Sequence, residues 1–310
     1  MIGTITLNPS IDQLITVERL VKDDANRATG ITLYPGGKGV NVSKVVRELG
    51  GATQAHVLLG GFVGGYWKRL VAGMDIPYVA TATEGETRIN SILTDLKDRT
   101  QTRISAPGPQ VPKKALQLFL KRLLSSRPRP FFWALGGSLS LGMKPDTYAR
   151  LIRCLQGSQG VPCILDTDDQ ALQKGVEAKP FMIKPNEYEM QRLTGKKFTA
   201  IGDYIPAARE LVHRGIRIVI VSLGKKGALF VTEKEVFHAS GLRVPEKSKV
   251  GAGDSLIGGV ALGLARKMTL REAAKLGIAA SSSAVMREAP RLCHRGDIAH
   301  LVRKVTLKTF

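Results

Sequence analysis

Short apolar runs alternate with helical patterns from one end of this chain to the other, and that rhythm limits its fold more than any other feature. "IGTITL" reads as a strand, "VNVSKVVRELG" as a helix closed by Gly50, and "AHVLLGGF" as a second strand. The pattern resumes with "PFFWALGGS", "PDTYARLIRCLQ", "VPCILDTD", "PFMIKPN", "EYEMQRLTG", "RIVIVSLG" and "ALFVTEKEVFHA". Such alternation predicts a parallel sheet flanked by helices, a doubly wound α/β fold of Rossmann type.

Two stretches break the rhythm. "QLITVERL" with "NRATGITLY", and later "ETRINSILTDLKDRTQTRIS", alternate polar and apolar side chains at period two with no helix between. They predict a small antiparallel sheet built from two distant hairpins, about residues 12–35 and 87–104, inserted in a single domain spanning 1–310. A sheet of that kind serves as a lid over a site or as a dimerisation surface. There is no internal repeat, low-complexity tract or interdomain linker.

With 310 residues and 43% apolar composition, the chain has enough material for a sizeable core. Its three cysteines, Cys154, Cys163 and Cys293, have neither disulfide nor metal-ligand spacing, and read as small buried hydrophobes. No leader pattern opens the sequence and no apolar run reaches about 18 residues, so a soluble cytoplasmic protein without membrane contact is expected. The formal net charge of +20 invites nucleic acid or another polyanion as a partner. Between Arg99 and Pro145 there is no acid at all. Much of that region nevertheless reads as an amphipathic helix, "KKALQLFLKRLL", with a solvated basic face. Zinc-finger spacing, RNP-type aromatics and basic heptads are all missing, which favours an enzyme handling anionic substrates over a nucleic-acid binder.

Four places carry chemistry. In "SKVGAGDSLIGGVALGLA" the glycine turn Gly251-Ala252-Gly253 opens a helix and bears a lone acid, Asp254. Free N–H groups at a helix start attract anions, so an acid there suits proton transfer beside a phosphate, or else it is a plain cap. In "YPGGKGVNVSK", Gly36 and Gly37 let a ligand approach bare backbone, and Asn41 can donate to and accept from hydroxyls. Lys38 there is no Walker lysine, because GxxxxGK[ST] is absent. "FMIKPNEYEM" ends a strand at Lys184-Pro185-Asn186 and begins a helix with acids. Asn186 and Glu189 could orient water around Mg²⁺, or simply cap the helix. Finally, Ser222, Gly224 and Gly227 of "VIVSLGKKGALFV" form a turn between two strands.

Read in order, TLNPSID, PGGKGVN, GETRIN, GSL, IKPNEYE, SLGKKG and VGAGDS resemble the ribokinase-like carbohydrate kinases of the phosphofructokinase B branch, over residues 2 to 303. That branch includes 1-phosphofructokinase, tagatose-6-phosphate kinase and the minor 6-phosphofructokinase. The resemblance implies a Rossmann-like domain with a β-sheet lid, often paired through that lid as a homodimer, and transfer of phosphate from ATP to a ketohexose phosphate. It implies Asp254 as general base and the Gly251–Gly253 backbone as anion hole. Asp12, Gly36, Gly37, Lys38 and Asn41 would cradle the sugar, Arg27 and Arg88 its existing phosphate, with Ser138 nearby. Lys184, Asn186, Ser222, Gly224 and Gly227 would face the nucleotide, and Asn186 and Glu189 Mg²⁺.

The chain departs from the pattern in three places. "LGGSLSLG" lacks the family prolines around Ser138, and Asp168-Asp169 replace smaller residues. "SSSAVMREAPR" brings in Met286, Arg287 and Glu288, which speaks against activation by potassium. The closing "PRLCHRGDIAHLV" looks like the end of the minor 6-phosphofructokinase, whereas "GGKGVN" and "ANR" lean toward the other two enzymes. Alternatives are a polyanion binder on a kinase scaffold and a kinase for an unphosphorylated sugar or nucleoside. A dinucleotide oxidoreductase ranks last, since no GxGxxG follows the first strand.

Overall fold

Successive side chains of a strand point to opposite faces, and in this chain both faces are buried. Along Ile218–Ser222, Ile220 enters one apolar cluster while Val219 and Val221 enter the other. The following strand, Gly227–Val231, divides Phe230 from Leu229 and Val231 in the same way. Helices must therefore cover the sheet twice.

The computed structural model describes residues 1–310. Its larger sheet contains β1 (Ile2–Thr6), β4 (Thr53–Leu59), β5 (Tyr78–Ala82), β8 (Phe132–Gly136), β9 (Cys163–Asp166), β10 (Met182–Ile183), β11 (Ile218–Ser222), β12 (Gly227–Val231), β13 (Val236–Ser240) and β14 (Leu307–Thr309). Across the sheet the order is β14-β13-β12-β11-β10-β9-β8-β1-β4-β5. From β5 to β11 all neighbours run parallel; β12, β13 and β14 form an antiparallel margin.

Helices α3 (Lys113–Leu124), α4 (Thr147–Gln159), α5 (Asp169–Val176), α6 (Glu187–Thr194) and α7 (Tyr204–His213) contribute to one core. On the opposite face lie α1 (Lys38–Glu48), α8 (Ala252–Ala265) and α9 (Leu270–Val285). The helices α2 (Gly61–Ala72) and α10 (Arg295–Lys304) complete the set. No helix is long and apolar enough to cross a membrane.

From β1 the chain steps outward to β4 and β5, then returns to β8 on the other side of β1 and moves on to β11. The reversal opens a crevice at the carboxyl ends of β1 and β8, the usual ligand position in open α/β sheets.

A second sheet stands beside that crevice. It contains β2 (Ser10–Val17), β3 (Ala28–Gly36), β6 (Arg88–Asp95) and β7 (Thr100–Ile104), in the order β3-β2-β6-β7. It is mixed, where the sequence predicts an antiparallel sheet. Each hairpin is antiparallel, but β2 and β6 pair in parallel, Ser10 with Arg88 and Asp12 with Asn90. The reason is topological: β2 and β6 follow β1 and β5, which run parallel in the main sheet, so both leave the same edge in the same direction. Ile11 of β2 packs with Val40 of α1 and Trp67 of α2, while β7 is exposed throughout.

Helices α8 and α9 touch nearly backbone to backbone. A Cβ on Gly259 would lie 2.7 Å from Gly277 Cα and 3.0 Å from Leu276 O. Gly65 on α2, by contrast, has open space around it. Gly259→Ala should therefore destabilise the protein by about 1–3 kcal/mol through overpacking. Gly65→Ala should stabilise it by about 0.5–1 kcal/mol through backbone entropy. Urea denaturation of the two variants checks both signs.

Candidate active site

The crevice is lined from two directions, by the carboxyl edge of the main sheet and by the base of the small one. On the small-sheet side, Asp12 is 2% exposed and accepts hydrogen bonds on Oδ1 from Ser10 Oγ and Asn90 Nδ2, both at 2.7 Å. Its Oδ2 faces Gly36, where a Cβ would come within 2.4 Å. Glycine at 36 thus leaves room for the carboxylate. Gly37 follows with φ 119° and caps α1, and any Cβ there would meet Thr6 Cγ2 at 2.6 Å. The paired glycines let β3 turn straight into α1 and bring Asn41, in its first turn, into the crevice.

Asn41 Nδ2 donates to Asp254 Oδ2 at 2.8 Å. Asp254 lies in the first turn of α8, whose N-cap Gly251 adopts the left-handed conformation at φ 76° and provides no side-chain cap. The starts of α6 and α9 are closed differently. Asn186 with Glu189, and Thr269 with Glu272, form reciprocal capping boxes that satisfy the first N–H groups. At α8 the acid bonds Asn41 instead, and the N–H groups of its first turn stay free of side-chain acceptors for an incoming anion. Burial, together with the charge of Asp166, pushes the Asp254 carboxyl above the usual carboxylate range.

At the sheet edge, Asp166 ends β9 and stands between two ammonium groups. Its Oδ1 is 3.1 Å from Lys38 Nζ and 3.4 Å from Lys184 Nζ. Burial alone would raise this carboxyl, but Lys184 and Lys38 outweigh it and hold it below its ordinary range. Lys38, which the resemblance assigns to the sugar cradle, thereby stands with the charged group around Asp166 and Asp254. Its neighbouring acids are Asp166, Asp254 and Glu189. A Cβ on Gly253 would approach Lys184 Nζ to 3.4 Å, so the α8 start and this lysine are adjacent.

Further along the edge, Ser222 N donates to Pro185 O at 2.9 Å and holds the Asn186 and Ser222 turns side by side. Gly224, at φ 55°, has nothing within 4 Å of its Cβ position, whereas Gly227, at φ 99°, is fixed against Ala239 O. Asn186 and Glu189 take the capping role that the sequence offered beside the metal role: Asn186 Oδ1 accepts from Glu189 N, and Glu189 Oε2 from Asn186 N, each at 2.8 Å. Burial raises the Glu189 carboxyl, opposed by Lys184 and Lys38. No cluster of three His, Cys, Asp or Glu side chains could enclose a metal ion.

Arg88, on β6, donates to Ala106 O at 2.9 Å and to Asn8 O at 3.0 Å, while its Nε is buried with no partner. Asn8 Nδ2 in turn reaches Leu139 O at 3.1 Å and Ser138 Oγ at 3.3 Å. The phenol of Tyr34, beside Asp12, is a second buried group without a partner. The structure does not bring Arg27 to Arg88 within one chain. Val17 pairs with Ala28 and Asp12 with Tyr34, so Arg27 sits at the far, exposed end of the small sheet. Arg27 lies seven positions before Tyr34, the partner of Asp12, about 23 Å along the strand direction. In the segment that departs from the family pattern, Arg287 is tied to Asp297 at 2.7 Å.

Three residues that sequence reasoning passed over belong to this site: Asn8, Asn90 and Asp166. Asn90 carries a usable signal, since it lies two residues after Arg88 on one strand and shares its face. Asp166 carries another, an acid ending an otherwise apolar run, "CILD".

The two buried acids should respond oppositely to neutralisation. Asp166 has a depressed folded-state pKa, so it stabilises the protein above its unfolded value, and that stability is lost as pH falls through the folded value. Asp166→Asn leaves two ammonium groups without a partner and should cost about 3–5 kcal/mol at neutral pH. Asp254 has a raised pKa and weakens the fold when charged, so Asp254→Asn should be at least as stable as the wild type at neutral pH. Chemical denaturation of both variants tests the pair.

Comparison with known proteins identifies the family of the chain. Residues 5–295 match the model of the pfkB family of carbohydrate kinases. The 1-phosphofructokinase of Bacillus subtilis (strain 168) is 33% identical over 288 residues, 93% of each chain. The ATP-dependent 6-phosphofructokinase isozyme 2 of Escherichia coli (strain K12) is 31% identical over 298 residues, 96% of each. The crystal structure of phosphofructokinase-2 from Escherichia coli in complex with fructose-6-phosphate superposes with a TM-score of 0.91 at 30% identity, covering 97% of this chain and 98% of that one. Sequence, topology and site converge on one conclusion: this chain is a member of the pfkB family of carbohydrate kinases, a sugar-phosphate kinase of ribokinase-like fold that uses ATP.

Proposed function

We propose that the chain transfers the γ-phosphoryl group of ATP to a free hydroxyl of a ketohexose phosphate, giving the bisphosphate. The observation that carries this reading is Asp254, a buried carboxylate of raised proton affinity, held through one oxygen by Asn41 at a helix start that no side chain caps. Its other oxygen is left to take the proton of the attacking hydroxyl. The backbone of Gly251, Ala252 and Gly253 stabilises charge on the migrating group, with Lys38 and Lys184 alongside.

Recognition of the acceptor falls to the small-sheet side. Asp12 Oδ2, Asn41 and the bare backbone at Gly36 and Gly37 suit hydroxyls. Arg88 suits an existing phosphate, because an anion would satisfy its buried Nε–H. Ser138 stands within the same network through Asn8. Arg27 joins this phosphate only if it comes from a second copy, which fits a homodimer paired through the small sheet acting as a lid. The names of the relatives, 1-phosphofructokinase and 6-phosphofructokinase isozyme 2, support fructose 1-phosphate and fructose 6-phosphate as acceptors; tagatose 6-phosphate is the third candidate.

On the nucleotide side, Lys184, Asn186 and the Ser222–Gly227 turn face ATP. Glu189 fits an ion that keeps its waters, since Oε2 serves the helix cap and the other oxygen is free of protein donors. When bound, Mg²⁺ would neutralise charge on the phosphates, held there by Glu189 and Asn186 through water.

Coupled ADP-release assays with fructose 1-phosphate, fructose 6-phosphate and tagatose 6-phosphate test the reading, one of them being expected to exceed unphosphorylated fructose by orders of magnitude in kcat/KM. Asp254→Asn should lower kcat by about 10²–10⁴-fold with ATP affinity retained. Arg88→Ala should raise KM for the sugar phosphate about 10- to 100-fold and leave KM for ATP nearly unchanged. Near-normal kcat in Asp254→Asn, or equal KM changes in Arg88→Ala, would count against these roles.

A further inference from the structure

A half-buried lysine lies where the small sheet joins α1. Lys44 lies one turn after Asn41, so both side chains project from one face of the helix. Its Nζ donates to Pro35 O at 2.5 Å and to Asn41 Oδ1 at 3.4 Å, and lies 5.5 Å from the centre of the Tyr34 ring. Neither acceptor is a carboxylate. Burial lowers its ammonium to about 8, against the opposing pull of Asp12 and Asp254.

Although its stem borders a surface groove, the ammonium is held by Pro35 O and Asn41 Oδ1, and it is that placement which calls for an explanation. An asparagine amide can be turned either way by its surroundings. With the Lys44 ammonium at Oδ1, the NH₂ end of Asn41 must face Asp254, and it donates to Oδ2 at 2.8 Å. Turned over, the amide would set its oxygen against a carboxylate and its NH₂ against an ammonium. The same ammonium anchors the carbonyl of Pro35, immediately before the glycines that line the cradle.

We infer that Lys44 is a positioning residue for phosphoryl transfer: it fixes the Asn41 amide, and through it the Asp254 carboxylate, while tying the Pro35–Gly37 turn to α1. This rests on the reading of Asp254 as the base. The charged and titratable groups facing Lys44 are Asp12 from β2, Tyr34 from β3 and Asp254 from α8. Arg47 and Glu48 of its own helix and Arg295 of α10 share a surface groove with it, and Arg47 is itself bonded to Asp75.

The test compares Lys44→Met and Lys44→Gln with the wild type, measuring kcat and KM between about pH 6 and 10 on the accepted sugar phosphate. The wild-type kcat/KM, which reports the free enzyme, should fall on the alkaline side with a midpoint near 8, as the ammonium loses its proton. Lys44→Met should lose about 10- to 100-fold in kcat and show no such fall, with KM for ATP within about twofold of wild type. Lys44→Gln keeps a donor but cannot titrate; it should lose less kcat and also show no alkaline fall.

The melting temperature of Lys44→Met at neutral pH should not drop, because the ammonium has a depressed pKa and weakens the fold below about 8. Wild-type kcat in Lys44→Met, or an unchanged alkaline limb in either folded variant, would overturn the inference. Asp254→Asn assayed alongside separates the two ideas. If it is inactive while Lys44→Met is fully active, only the role of Lys44 falls; if it is active, the reading of the base falls as well.

Discussion

One carboxylate between two ammonium groups sets the electrostatics of this site. Asp166, at the end of β9, partners Lys38 from α1 and Lys184 from beyond β10, and so ties one helix to two neighbouring strands through a single oxygen. Without it, both cations would act undiminished on Asp254 and pull its proton affinity down against the effect of burial. With it, the repulsion between two acids adds to burial and lifts the proton affinity of Asp254. The pairing thus does two things: it keeps two lysines in place at the sheet edge, and it raises the proton affinity of a nearby acid to which neither lysine is paired.

Much of the fold was legible because the main sheet is buried on both sides. A strand covered twice is apolar at nearly every position, so runs such as "CILD" and "IVIVS" stand out against helical stretches whose apolar residues recur at intervals of three and four. The small sheet was legible as strands but not as a pairing. Its hairpins are local, whereas the β2–β6 contact depends on where β1 and β5 lie in another sheet, and nothing in either hairpin encodes that.

The site divides in the same manner. Asp254 and Asn41 were readable because glycines beside a helix start announce close approach by a ligand. Asp166 was not, because its importance comes from two lysines that lie far from it in sequence. Asn186 and Glu189 match one local pattern that in sequence reads either as a helix cap or as a place for a hydrated ion, and only their mutual hydrogen bonds reveal the cap. Nothing local distinguishes Lys44 in a chain of net charge +20; its bonds to Pro35 O and Asn41 Oδ1 exist only once β3 and α1 are brought together.

The close approach of Gly259 to Gly277 has an evolutionary consequence. The helix carrying Asp254 cannot slide or tilt unless its neighbour shifts too, which leaves that wall of the crevice with almost no freedom to drift. The opposite wall belongs to a thin sheet with an exposed outer strand, where residues can be exchanged without disturbing a core. Divergence toward new acceptors among chains of this architecture should therefore accumulate on one side of the cleft, with the reacting groups inherited unchanged on the other.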